Sequence, residues 1–358
     1  MREIGGRMYN MTNIIGKIHN ESCLDTLGRT KDETVDSIIT SPPYDDLRTY
    51  KGYSFPFESI AKELTRVLKP GGVIVWVVGD ATIKNSETLS SFKQAMFFVE
   101  QCGLCLYDTM IYQKTGTPFP SRCRYNQTFE YMFVFTKGKP KTFRPLLKKN
   151  VTAGAVRHSR KFRQADGTMK AGFNGKAVSE YGIENNIWKI RNGMYKSTKD
   201  KVAFGHPAIF PEELVEKHIL TWTNPGDVVY DPFMGSGTTA KMSIIHGRKW
   251  FGSELSNDYC EIAKVRLATV AEATDYPIQY KNNGFILPNG TEEESKGKEV
   301  MRNASAQYRF SDNYYCYPPN DELPLGFDGL SSKEKRIFEE RWKTSITDCI
   351  IPRNGEEF

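Results

Sequence analysis

Val228-Val229-Tyr230 runs directly into Asp231-Pro232-Phe233-Met234-Gly235-Ser236-Gly237-Thr238-Thr239, and a helical pattern from Thr238 to His246 begins where the glycines end. A buried strand, a glycine turn and a helix in immediate succession leave few folds open. Glycine permits positive φ and lets a ligand approach the backbone closely. The helix that follows presents N–H groups that suit a carboxylate or phosphate. At the carboxyl end of a parallel strand, this is where open α/β sheets take nucleotide-like ligands. The P-loop pattern is not met, because no Gly-Lys-Ser/Thr follows, and the dinucleotide fingerprint lacks its third spaced glycine. The next strand, Lys249 to Ser253, ends at Glu254. An acidic residue about 20 positions beyond such a turn is placed to bind ribose hydroxyls.

The rest of the chain repeats the strand–helix alternation. Asn13 to Ile18 reads as a short strand, and Val35 to Thr40 as a buried one. Phe57 to Leu68 has helical spacing through Phe57, Ile60, Ala61, Leu64, Val67 and Leu68, and Lys69-Pro70-Gly71-Gly72 predicts its end. Val73 to Val78 is a second buried strand, too short for a membrane span, which needs about 20 residues. Ser91 to Cys102 reads as a helix, then Leu104 to Tyr112 and Glu130 to Thr136 as strands. After residue 204 come a helix from Pro211 to Thr221, the strand and glycine turn already described, and a helix from Asp258 to Val270. The pattern predicts an α/β fold with a mostly parallel sheet and helices on both faces.

Residues 137–204 interrupt it. They are weakly periodic, rich in Gly, Asn and Ser, and hold 17 Lys and Arg against 4 Asp and Glu. That surplus of 13 exceeds the whole chain's net charge of +6, so the remainder is net negative. A concentrated basic segment is the footprint of a polyanion-binding surface, and a plain solvated loop is the bland alternative. Residues 275–358 carry no clear sheet signal, although Ser331 to Trp342 reads as one helix with a Ser331/Glu334 capping box. Seven cysteines in 358 residues do not make a disulfide framework, and the Cys102/Cys105 pair has no second pair to complete a metal site. The amino terminus carries no apolar run like a secretory signal. These features together imply a cytoplasmic protein.

One more strand end bears chemistry. Thr40-Ser41-Pro42-Pro43-Tyr44 closes the Val35 strand. Two prolines fix the backbone, so the Ser41 and Pro42 carbonyls can be aimed in advance. With the Ser41 hydroxyl they can accept hydrogen bonds from an NH2 group, and Tyr44 offers a flat face for stacking on a base. A strand-ending turn with a packed Tyr is the alternative.

Ser41–Tyr44 resembles the catalytic (D/N/S)PP(Y/F) motif of DNA amino methyltransferases, and Asp231–Thr239 resembles their S-adenosylmethionine motif DPFxGSGTT. The catalytic motif comes first and the cofactor motif last, as in the beta class. Arg66–Gly72, Glu130–Lys137, His206–Leu214 and Arg248–Glu254 resemble further family segments, so the likeness spans residues 12–270. It implies a Rossmann-like, circularly permuted methyltransferase fold. Residues 12–136 would be the catalytic half, 137–204 a target-recognition insertion, 205–274 the cofactor half and 275–358 an extension. S-adenosylmethionine would be held by Asp231, Phe233, Gly235, Ser236, Gly237, Thr238, Thr239 and Glu254. Ser41, Pro42, Pro43 and Tyr44 would be catalytic.

The implied partner is double-stranded DNA, contacted by Phe129, Arg157, Arg160, Arg163 and Arg191. A cognate restriction endonuclease, a prokaryotic or phage source, and either a monomer or a homodimer fit the same family. Two departures stand out. Ser22 occupies the place of an Asp that helps hold the adenine end of the cofactor, with Glu21 one residue away. Phe129 stands where many relatives have His. SPPY rather than DPPY leans toward cytosine N4, with adenine N6 the alternative. A DNA-binding relative without turnover, and an RNA or small-molecule methyltransferase, are the readings of a different class.

Overall fold

The computed structural model describes residues 14–43, 55–116, 124–156, 161–171, 175, 177–273, 279–281, 284–286 and 314–315. The chain divides into two compact units, Met1–Phe143 with Asn185–Arg309 and Arg144–Glu184 with Phe310–Phe358.

The first unit is built on an eight-stranded sheet. Its strands are β1 (Ile18–His19), β2 (Val35–Thr40), β3 (Leu68–Val78), β4 (Cys105–Lys114), β5 (Phe129–Thr136), β6 (Ile187–Ile190), β7 (Val228–Asp231) and β8 (Lys249–Ser253). They lie in the order β1-β8-β7-β2-β3-β5-β4-β6. All neighbours are parallel except the two pairings of β5. The helices are α1 (Cys23–Arg29), α2 (Phe57–Val67), α3 (Ser90–Glu100), α4 (Glu212–Trp222), α5 (Thr238–Ile245) and α6 (Asn257–Ala273).

The reason for this layering is visible strand by strand. All six residues of β2 are buried, and β3 is buried from Gly72's successor Val73 to Val78. Strands covered on both faces read as near-continuous apolar runs, as Val73–Val78 does, and in β2 the buried Asp36 and Ser37 are bonded to Lys69 and to the Val73 carbonyl. One face packs Ile38, Ile74, Trp76, Tyr230 and Phe251 against Leu27 of α1, Ile60, Leu64 and Val67 of α2, and Phe98 of α3. Each such aliphatic side chain, fully buried, contributes about 1.5–3 kcal/mol. On the other face α4 lies against β5, with His218 Nε2 3.4 Å from the Met132 sulfur. Burial pushes His218 down to about 3, so it is neutral there.

α2 stops at Val67, as its spacing predicts, but Lys69–Gly72 belongs to β3 instead of forming a free turn. Lys137 pins this stretch, its amino group donating to the Leu68 carbonyl at 2.9 Å and its own carbonyl accepting from the Gly71 amide at 2.7 Å. Among the described residues the first strand is Ile18–His19, and residues 14–16 of the expected Asn13–Ile18 strand form a turn, with Asn13 outside the described residues.

Residues 185–204 depart most from expectation. The basic stretch 137–204 reads as one insertion, yet 137–143 and 185–204 group with the first unit. Ile187–Ile190 alternates exposed and buried, with Trp188 and Ile190 inside, and extends the sheet parallel to β4. Four residues of alternation within a polar, basic stretch were too little to read as a strand.

The chain leaves β2 toward β3 on one side and leaves β7 toward β8 on the other, although β2 and β7 are neighbours. That makes their shared carboxyl end the topological switch point, where open α/β sheets hold ligands.

In the second unit, 147–149 pairs antiparallel with 181–183 and with 314–315. A second antiparallel pair joins 161–163 to 169–171. The helix expected at Ser331 to Trp342 lies outside the described residues. Among those residues no helix is long and apolar enough to cross a membrane.

Candidate active site

Thr40 ends β2 and Asp231 ends β7. The Thr40 hydroxyl donates to Asp231 Oδ1 at 2.7 Å, and the Phe233 amide donates to the same oxygen at 3.0 Å. The Thr239 hydroxyl lies 2.7 Å from Asp231 Oδ2 and 3.2 Å from the Ile39 carbonyl. One buried carboxyl thus ties together the start of the Ser41-Pro42-Pro43 turn, the glycine loop and the first turn of α5. Burial pushes Asp231 up to about 6, against the hydrogen bonds from Thr40, Thr239 and Phe233, with the charge of Glu254 adding to the rise. The network accommodates either protonation state. A protonated Oδ2 can donate to Thr239, which then donates to Ile39.

The loop between Asp231 and α5 is shaped by glycine where glycine is needed. Gly235 has φ +51° and Gly237 has φ +81°. A Cβ on Gly235 would stand 3.0 Å from His206 Nε2, and one on Gly237 3.0 Å from Ala263 Cβ. The loop then touches the end of β8. Glu254 Oε2 accepts the Gly235 amide at 2.9 Å, and Oε1 accepts the Ser256 amide at 2.8 Å. Burial raises the Glu254 pKa, opposed by these backbone donors. An ionised carboxylate has about four lone-pair sites, so two amides leave it capacity for further donors. Ser256 Oγ beside it is buried and has no hydrogen-bond partner. Ser236, Thr238 and Thr239 are buried, and Phe233 is half-buried.

The expected residues are therefore distributed unevenly. Asp231, Phe233, Gly235–Thr239 and Glu254 form one continuous group at the end of β7 and β8. Ser41, Pro42 and Pro43 follow Thr40 directly at the neighbouring strand end, Pro42 buried and the other two half-buried. Tyr44 lies outside the described residues. Phe129 opens β5, and because β5 runs backwards its start lies toward the carboxyl end of β3, where Tyr131 pairs with Val78. The Phe129 ring stands 5.3 Å from Tyr131, edge on.

The expected arginines lie on other elements. Arg163 ends an exposed short strand of the second unit, and Arg191, exposed, follows β6. Arg157 and Arg160 lie outside the described residues. Glu21 is engaged elsewhere, accepting from Thr26 at 2.7 Å and paired with Arg29. Ser22 caps α1, its hydroxyl oxygen accepting the Leu24 amide at 3.3 Å.

Four further residues shape the site without having been assigned a role in it from sequence. Thr40 joins the two strand ends. His206 packs on Gly235 and against Tyr259, ring centroids 4.4 Å apart. Asn20 donates to the Glu254 and Leu255 carbonyls at 2.9 and 3.0 Å. A Cβ at Gly252 would overlap the Met234 methyl. Thr40, His206 and Gly252 lie within stretches that carried a sequence signal, Thr40–Tyr44, His206–Leu214 and Arg248–Glu254, and Asn20 does not. Among the described residues no group of three His, Cys, Asp or Glu is placed to hold a metal, and Cys102 and Cys105 are free thiols.

The profile of the DNA methylase family, the N6/N4 methyltransferases, matches residues 35–265. The chain is 56% identical over 262 residues to the orphan methyltransferase M.BamHII of Bacillus amyloliquefaciens, covering 72% of this chain and 96% of that protein. It is 30% identical to the type II methyltransferase M.BamHI of the same organism, over 71% of this chain and 57% of that one. Among solved structures, the PvuII DNA methyltransferase (cytosine-N4-specific) superposes with a TM-score of 0.52 at 21% identity. The superposition covers 80% of this chain and 91% of that one, and it shows a shared fold.

Proposed function

Because the chain belongs to the DNA methylase family of N4/N6 amino methyltransferases, we propose that it methylates the exocyclic N4 amino group of cytosine in double-stranded DNA. The methyl donor of the family is S-adenosylmethionine, which supplies an electrophilic methyl group on a sulfonium. The residues present fit it. Gly235 and Gly237 hold the loop in positive-φ turns packed closely on His206 and Ala263, a backbone shape that a side chain would strain, and the partnerless Ser256 hydroxyl lies beside Glu254. The loop 231–239 would hold the donor, with Glu254 taking its ribose hydroxyls.

The observation that carries the reading is the Thr40–Asp231 hydrogen bond. It puts the Ser41-Pro42-Pro43 turn one residue from the carboxyl that anchors the donor loop. An amino nitrogen attached to a pyrimidine ring is a poor nucleophile, because its lone pair is delocalised. Acceptors from Ser41 and Pro42 on its N–H groups localise that pair on nitrogen and draw off positive charge as the bond forms. Prolines aim those acceptors beforehand, so positioning and electrostatics supply most of the barrier reduction. Phe129 and Tyr44 would stack on the base. The target is unreachable inside a duplex, so the nucleotide is flipped out at a cost of about a few kcal/mol. The basic residues of 137–204, Arg157, Arg160, Arg163 and Arg191 among them, would hold the duplex, acting on DNA in the cytoplasm.

Ser41 supports cytosine over adenine, since it offers a neutral hydroxyl where an Asp would offer a charge. The test is modified-base sequencing of DNA from a host expressing the chain. N4-methylcytosine in one sequence context is expected, and N6-methyladenine alone would move the target to the other base. In the same host, Tyr44→Ala is expected to abolish most of the modification while cofactor binding by the purified variant stays near normal. Loss of cofactor binding in Y44A would mean that the turn is misplaced.

A further inference from the structure

Behind the glycine loop lies a buried ionic cluster. Arg266, on α6, is 0% exposed. Its Nε donates to Asp200 Oδ2 at 2.7 Å, and one terminal nitrogen donates to Glu212 Oε1 at 2.5 Å and Thr198 Oγ1 at 3.2 Å. The other terminal nitrogen reaches the loop itself. It lies 3.1 Å from the Ser236 carbonyl, 3.3 Å from the Ser236 hydroxyl and 2.8 Å from the Thr238 hydroxyl. Lys241 of α5 completes the cluster, 2.7 Å from both Asp200 Oδ2 and Glu212 Oε1. Two cations and two carboxylates therefore balance. Although burial opposes its charge, the hydrogen bonds from Lys241 and Arg266 hold Asp200 below the usual carboxylate range.

A buried ion group of this kind is weak grounds for stability, because desolvation offsets much of the attraction. What it does supply is direction. The guanidinium has five N–H donors in a rigid plane. Here that plane is locked on one side by Asp200, Glu212 and Thr198. Its other edge grips the residues on both sides of Gly237, whose φ of +81° is a conformation that an unrestrained loop samples only part of the time. Ala263, one turn before Arg266, abuts Gly237 from the same helix.

We infer that Arg266 is a positioning residue for the S-adenosylmethionine loop, holding Ser236–Thr238 in the binding conformation before the cofactor arrives. The inference rests on the reading of residues 231–239 as the cofactor loop. A loop ordered in advance loses less freedom on binding, so its affinity is higher. The contacts described for Arg266 are to the loop and its supports, so the effect is expected on cofactor binding and not on transfer.

The test compares the full chain with Arg266→Lys, Thr198→Val and Gly235→Ala. Lysine keeps the charge beside Asp200 and Glu212 but cannot also reach Ser236 and Thr238. The readouts are calorimetric Kd for S-adenosylmethionine, ligand-free Tm, and KM against kcat in methyl transfer. R266K is expected to raise Kd and the cofactor KM about tenfold, with kcat at saturating cofactor within about twofold and Tm little changed. T198V removes one acceptor that orients the guanidinium, and about a threefold rise in Kd is expected. Should R266K not fold, T198V decides: wild-type Kd in T198V overturns the inference. Wild-type Kd in a folded R266K, with binding lost in G235A, also overturns it while leaving the cofactor loop in place. Unchanged Kd in both R266K and G235A would overturn the loop assignment and the inference together.

Discussion

The glycine loop 231–239 and the basic stretch 137–204 both read from sequence as binding surfaces, and the structure builds the loop and the 144–184 part of that stretch by opposite means. The loop, with the buried Asp231 as its one ionisable residue, carries little charge. It is fixed by buried bonds from Thr40, Glu254 and Arg266 and by close contacts at both glycines. The basic stretch has short strands of three residues and an exposed Arg163. A small cofactor must be met by groups already in place, because little area is available to offset ordering. A polyanion is met by charge, which needs no fixed geometry and weakens with salt. The difference teaches where substitutions should hurt most.

The largest effect is expected at the loop. Gly237→Val forces a β-branched residue into φ +81° and against Ala263. Cofactor affinity should fall by about a hundredfold or more, read by calorimetry. A milder and different effect is expected at the joint between the strand ends. Thr40→Val removes the hydroxyl that bonds Asp231. Transfer at saturating cofactor should slow about tenfold while cofactor Kd moves less than about threefold, since positioning of the acceptor turn is what is lost.

The joint also makes a pH prediction. Asp231 is raised from 3.8 to about 6 by burial. A raised carboxyl contributes stability fully present below pH 3.8, and that contribution is lost as pH rises through about 6. Asp231→Asn imitates the protonated group, so the Tm difference between D231N and the wild type should shift in favour of D231N as pH rises across that window. A constant difference would show that Asp231 titrates as an ordinary carboxyl. The smallest effect is expected in the basic stretch. Arg163→Ala should weaken DNA binding a few-fold, lower the slope of log K against log salt by about 1, and leave cofactor Kd unchanged. An effect of R163A on cofactor Kd would break the contrast between the two regions.

Much of this contrast is written locally. The strand Val73–Val78 announces itself because burial on both faces favours an unbroken apolar run, whereas Val35–Thr40 also buries Asp36 and Ser37, bonded to Lys69 and to the Val73 carbonyl. The loop announces itself because positive φ requires glycine. What local sequence does not carry is the partnership of distant residues. Thr40 looks like any strand residue until Asp231, 191 positions away, is brought beside it. Arg266 looks like a solvated helix residue until Asp200 and Glu212 close around it. Glu21 reads as a stand-in for a missing acid, and only the fold shows Arg29 and Thr26 already holding it. Ile187–Ile190 is hidden by its basic neighbours, since its membership of the sheet depends on β4 and not on its own four residues.

The most direct measurement follows the methyl group. The purified chain is incubated with S-adenosylmethionine labelled in the methyl and with unmethylated duplex DNA, and the DNA is digested to nucleosides for mass spectrometry. The expected result is label on an exocyclic amino nitrogen, as N4-methylcytosine, reduced about tenfold in T40V. Label on cytosine carbon 5, or no label in DNA while DNA and cofactor still bind, would contradict an amino-transfer site built from these two strand ends.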